Sequence, residues 1–143
     1  YGYRPYQVVV QFKFANETSV NLSGSICYDA TDIRLSADLR EITDGYVIAS
    51  LNKDVNTFDT MVGALQYHMY QPVILANTGQ FGGSTAQAPF KEPYHRLIAH
   101  THGANQAIIS LFEVDLLACK KASPAPPAKE LKAPPAGYKG RLN

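Results

Sequence analysis

Val20-Asn21-Leu22-Ser23-Gly24-Ser25-Ile26-Cys27-Tyr28-Asp29 is the stretch whose reading decides the fold. It begins as an apolar-leaning strand pattern and breaks off at a cysteine. Residues 29–40 (Asp-Ala-Thr-Asp-Ile-Arg-Leu-Ser-Ala-Asp-Leu-Arg) then read as a helix, with Asp and Thr side chains at its start to cap it. A cysteine between strand and helix lies beside unpartnered backbone N–H groups, and the positive end of a helix favours thiolate over thiol. Such a junction presents a sulfur nucleophile. The competing reading is a small buried sheet residue, because free cysteine is among the most buried residue types.

Upstream, residues 6–14 (Tyr-Gln-Val-Val-Val-Gln-Phe-Lys-Phe) are rich in β-branched and aromatic side chains, which predicts a strand. The turn residues 15–19 then lead into Val20–Ile26 as its antiparallel partner. Downstream, Tyr46–Leu51 is a nearly continuous apolar run bounded by turn residues, the pattern of a strand buried on both faces. Phe58, Met61, Val62, Leu65 and Met69 fall at helical spacing, with Asp54 or Asn56 as cap and Pro72 as terminator. Pro72–Asn77 is a second buried strand. The loop Thr78-Gly79-Gln80-Phe81-Gly82-Gly83-Ser84 follows, and it lacks the lysine and helix that a phosphate-cradling loop requires. Strands over Ser84–Ala88, Arg96–His100 and Gln106–Leu116 complete the pattern. Alternating strands and helices followed by strands alone predict an α/β layered architecture.

Four of these segments carry a resemblance. They are Gly24-Ser25-Ile26-Cys27-Tyr28-Asp29; Tyr46-Val47-Ile48-Ala49-Ser50-Leu51-Asn52; Pro72-Val73-Ile74-Leu75-Ala76-Asn77 with Phe81-Gly82-Gly83-Ser84; and Ile108-Ile109-Ser110-Leu111-Phe112-Glu113-Val114-Asp115. Over residues 7 to 117, in this order, they resemble the second half of a nitrilase-superfamily (carbon–nitrogen hydrolase) domain. The first is similar to its nucleophile strand and the second to a strand ending in Ser and Asn at the pocket. The third resembles its strand and Gly-Gly-Ser loop, and the last its closing strand. One departure is Thr31-Asp32-Ile33, where the family frequently has Phe-Pro-Glu.

The resemblance implies half of an α-β-β-α sandwich. Residues 1–119 would form the C-terminal half of a nitrilase-like domain, and residues 120–143 a Pro/Ala/Lys-rich tail or linker. It implies a thiol-dependent hydrolase that opens amides or nitriles through a Cys27 thioester. The backbone N–H of Tyr28 would be an oxyanion donor, and Tyr28 and Asn52 would contact substrate. The family's Glu base and Lys precede the cysteine by more than the span available here. Lys13 and Glu17 do not match them, so both are expected from a missing N-terminal half, and these residues alone are expected to be inactive. The alternative function is a non-catalytic assembly module of a larger protein. In that sense His100-Thr101-His102-Gly103 and the Phe112–Asp115 ending resemble the nitrilase-like domains fused to bacterial defence reverse transcriptases.

The remaining features narrow the partners. The chain has 143 residues, 45% of them hydrophobic, enough for a core. Six cations against Glu130 give residues 120–143 a net charge of +5, while seven basic and eleven acidic side chains leave residues 1–119 at −4. Nucleic acid is therefore expected only through a fused domain or weakly through the basic tail. Cys27 and Cys119 show no disulfide framework spacing, which suggests a reducing, cytoplasmic setting. No apolar run approaches the roughly 20 residues of a membrane span, and no membrane partner is expected. His100 and His102 share a strand face, but no third ligand stands at a recognisable spacing, so neither metal nor cofactor is expected. Self-association into a homo-oligomer is expected. The prolines from Ser123 onward predict an extended polyproline-II-like arm, docked or solvated.

Overall fold

The computed structural model describes residues 7–120 and 130–140. Six strands make one sheet in chain order: β1 (Val10–Lys13), β2 (Ser19–Ile26), β3 (Gly45–Ser50), β4 (Val73–Asn77), β5 (Thr85–Gln87) and β6 (Leu97–His100). Strands β2, β3 and β4 run parallel, and β1, β5 and β6 extend this centre through antiparallel pairings. Parallel neighbours require crossover segments. Two are present: a 3-10 turn (Cys27–Thr31) with α1 (Ile33–Leu39) between β2 and β3, and α2 (Val55–His68) between β3 and β4. Two short helices, α3 (Pro93–Arg96) and α4 (Leu116–Lys120), complete the described elements.

The core forms where the inward alternation of two strands meets the apolar stripe of α2. Tyr46 and Ile48 of β3 and Val73 and Leu75 of β4 pack with Phe58, Val62, Leu65 and Met69, and Leu39 closes the α1 side. The helical spacing in the sequence thus marks the right face; Met61 is only partly buried against it. The Asp54 side chain caps α2 by accepting from the Thr57 N–H. At the other end the Met69 N–H donates back to Leu65 O at 2.8 Å, and Pro72 cannot continue the ladder.

Several sequence expectations are corrected. The helix predicted over residues 29–40 is two pieces, because the Asp32 carboxylate accepts from the Arg34 N–H at 2.9 Å and starts a new helix there. β3 is buried on one face only: Tyr46 and Ile48 are covered by helices, whereas Val47 is 39% exposed on the other side. Residues 106–116 form no strand. Asn105 and Gln106 donate to Gln80 O and Gly79 O, but residues 107–115 join no strand of the sheet, and Ile109 and Leu111 are left 92% and 96% exposed. A strand pattern without a partner edge stays single, because its hydrogen bonds come from the neighbour and not from its own sequence.

The polyproline reading of the tail falls largely on residues 121–129, outside those described. Residues 130–140 return to the body. Leu131 bridges Phe90, the Tyr70 hydroxyl donates to Lys132 O at 2.6 Å, and the Tyr138 and Tyr70 rings lie 5.1 Å apart. Together with Cys119 they make a small second core. No helix among the described residues is long and apolar enough to cross a membrane.

Candidate active site

The C-terminal ends of parallel strands are where open α/β sheets collect ligand-facing groups, because the crossovers leave from that edge. Here the edge is set by register: Ile26 pairs with Ala49, and Ser50 with Asn77. Gly24 permits the approach, since a Cβ there would stand 2.3 Å from Val47 O. One residue past the end of β2 the chain turns sharply at Cys27, whose φ is +47°. A left-handed conformation is costly for a residue with a Cβ, and such strain persists where the surroundings enforce it, typically at functional sites. The turn leaves Cys27 half-buried at the rim of the main core.

Two groups from the end of β3 meet the sulfur. The Ser50 hydroxyl donates to Cys27 Sγ at 3.5 Å, and the thiol donates to Leu51 O at 3.9 Å. When the proton leaves, hydrogen bonding by the Ser50 hydroxyl stabilises the thiolate most, followed by the backbone at Leu51, while slight burial works the other way. The Tyr28 backbone and the Asn52 side chain add smaller contributions, and the Cys27 thiol is held below its ordinary value. The source of this shift differs from the sequence expectation. Cys27 opens a five-residue 3-10 turn, and the hydroxyl of a neighbouring strand leads in place of a long helix dipole. Ser50→Ala therefore raises the Cys27 midpoint in a pH series of alkylation rates; an unchanged midpoint would show that the hydroxyl is incidental.

The other sequence-marked residues divide. Tyr28 keeps its backbone beside the sulfur while its side chain is 77% exposed. Asn52 lies next to Cys27 with its Oδ1 accepting from the Asp54 N–H at 2.6 Å. His100 and His102 stack with centroids 4.2 Å apart, and His100 Nε2 lies 3.4 Å from Asp59. Among the described residues, no three His, Cys, Asp or Glu side chains gather as a metal ion needs, and neither a Glu nor a Lys hydrogen-bonds Cys27. Cys119 contrasts with Cys27: burial chiefly, with Asp115 and Asp44 adding, pushes its thiol up to about 12. The resemblance places Ser50 at the pocket without giving it a role toward the sulfur, and it does not mark Leu51. The signal was their place at the end of a strand whose parallel neighbour ends on the cysteine.

No protein-family model and no curated protein matches the chain. Among the solved structures that resemble it are these two. One is Nit3 of Saccharomyces cerevisiae, a member of branch 10 of the nitrilase superfamily, with a TM-score of 0.58 and 14% identity over 86% of this chain. The other is a mutant of the amidase from Nesterenkonia sp. AN1 showing covalent addition of the acetamide moiety of fluoroacetamide at its active site cysteine. Its TM-score is 0.50, with 16% identity over 72% of this chain. The chain spans 48% of the length of the first and 39% of the second. The fold is thus a mixed α/β fold similar to those of the nitrilase superfamily.

Proposed function

We propose that this chain is the nucleophile-bearing part of a thiol-dependent carbon–nitrogen hydrolase acting on small amides or nitriles. The observation that carries the reading is the Cys27 thiol, held in a left-handed turn at the C-terminal edge of the parallel strands and stabilised as thiolate chiefly by Ser50. In this reading the sulfur attacks an amide carbon, and the C–N bond breaks as the amine leaves with a proton. Water then attacks the thioester, the C–S bond breaks, and the carboxylic acid leaves the thiol restored. A nitrile reaches the same thioester by adding one water and losing ammonia. The Tyr28 N–H beside the sulfur is a candidate donor to the oxyanion.

The base and the lysine of such a mechanism are proposed to come from residues beyond these 143, in keeping with the share of each relative that the chain covers. A non-catalytic assembly module is the second reading, favoured by the lack of any Glu or Lys on Cys27 among the described residues. Acid-quenched reactions of the full-length protein with small amides and nitriles separate the two. Hydrolysis predicts released ammonia and an acyl mass increment on the peptide carrying Cys27, both lost in Cys27→Ser. Ammonia release that persists in Cys27→Ser overturns the proposed role of Cys27, and absence of both signals from the unsubstituted protein favours the module.

A further inference from the structure

The groups around the sulfur are not held by the sheet alone. β3 ends at Ser50, and Leu51 and Asn52 lie beyond its ladder. The backbone of Asn52 is fixed by one side chain from the neighbouring strand. Asn77 Oδ1 accepts from the Asn52 N–H at 2.9 Å, and Asn77 Nδ2 donates to Asn52 O at 2.8 Å. Nδ2 also donates to Gly82 O at 2.7 Å. One amide side chain thus does for the Leu51–Asn52 segment what a strand partner does for a ladder, accepting and donating at the same residue. Asn77 is itself fixed: its N–H donates to Ser84 Oγ at 2.9 Å, and that hydroxyl donates back to Asn77 O at 3.2 Å. Gly82 can offer its carbonyl because φ is +73° there, a conformation that glycine adopts freely.

We infer that Asn77 is a positioning residue for the Cys27 thiol, acting through the segment 50–52 that it pins. The inference rests on Cys27 being the reactive group of this site. The link is geometric: Ser50 and Leu51 hydrogen-bond the sulfur, and Asn77 holds the next residue, Asn52, at both backbone polar groups. Thr78 N–H donates to Ser50 O at 3.1 Å, so β3 keeps its end when the Asn77 side chain is removed, and the freed part is the segment beyond it. An Asp at this position keeps the acceptor for the Asn52 N–H. It has no donor for the two carbonyls and sets like partial charges against them.

The test is the pH profile of Cys27 alkylation in the full-length protein, followed by peptide mass mapping, with Leu131→Ala in the second core as the control. In Asn77→Ala and Asn77→Asp the rate at pH 7 falls about three- to tenfold and the midpoint moves up toward an ordinary cysteine. Leu131→Ala leaves the midpoint in place. A midpoint unmoved in both Asn77 variants, or moved equally by Leu131→Ala, overturns the proposal. If neither Asn77 variant folds, hydrogen exchange of the Asn52 amide in the unsubstituted protein decides. Protection comparable to the β3 amides supports the pin, and exchange at the rate of an exposed loop overturns it. A Cys27 that alkylates with the expected profile yet never forms an acyl adduct ends the hydrolase reading and leaves this inference standing.

Discussion

A short pulse of limiting iodoacetamide at pH 7 modifies Cys27 about a hundred times faster than Cys119, or more. The thiolate reacts, so the two fractions ionised set the starting ratio. Cys119 titrates at about 12, and Cys27 lies below the ordinary value. Three or more pH units separate them, which is about three powers of ten in thiolate. The more basic thiolate is the better nucleophile, and a Brønsted slope of about 0.4–0.5 returns roughly 1.5 powers of ten to Cys119. Access then widens the gap again, since Cys119 is only 3% exposed and reacts after local opening, whereas Cys27 sits half-buried at a strand end. Peptide mapping by mass spectrometry reads both sites from one digest. Equal or preferential labelling of Cys119 would show that the turn at Cys27 does not present a thiolate.

The raised Cys119 value also fixes a direction for stability. The unfolded thiol ionises near about 8.5 and the folded one only at about 12, so this contribution is whole below the first value. It drains as the pH climbs toward the second, because the unfolded chain releases its proton first.

Leu65→Ala costs about 2–5 kcal/mol, a large share of the roughly 5–15 kcal/mol that holds a domain folded. Leu65 is 9% exposed and stands in the stripe with Phe58 and Val62, packed on Tyr46, Ile48, Val73 and Leu75. Truncation removes apolar contact and opens a cavity against a sheet whose hydrogen bonds keep it from collapsing inward. Thr60, exposed on the same helix, is the internal control, and Thr60→Ala stays within about 0.5 kcal/mol. Urea denaturation of the full-length protein, with the denaturant slope unchanged between variants, measures both. A loss below about half a kcal/mol at Leu65 would place that face in solvent.

What the sequence determined is what local pattern can encode. The spacing of Phe58, Val62, Leu65 and Met69 specifies a helix and its buried stripe without reference to any partner. The apolar runs at 46–51 and 72–77 specify strands, and the abrupt stop at Cys27 marks a strand end. The same periodicity could not say how much cover each strand receives, and Val47 remains exposed because nothing described packs over it. It could not make residues 106–116 a strand either, since pairing needs an edge that the segment does not carry. Tertiary structure alone decided the chemistry of the site. Cys27 and Ser50 are 23 positions apart, and Asn52 and Asn77 are 25 apart; each pair meets through the parallel register of β2, β3 and β4. A hydrogen bond of that range depends on where two strand ends fall relative to each other. Register is fixed by the packing of whole faces, so no short stretch of this sequence contains it.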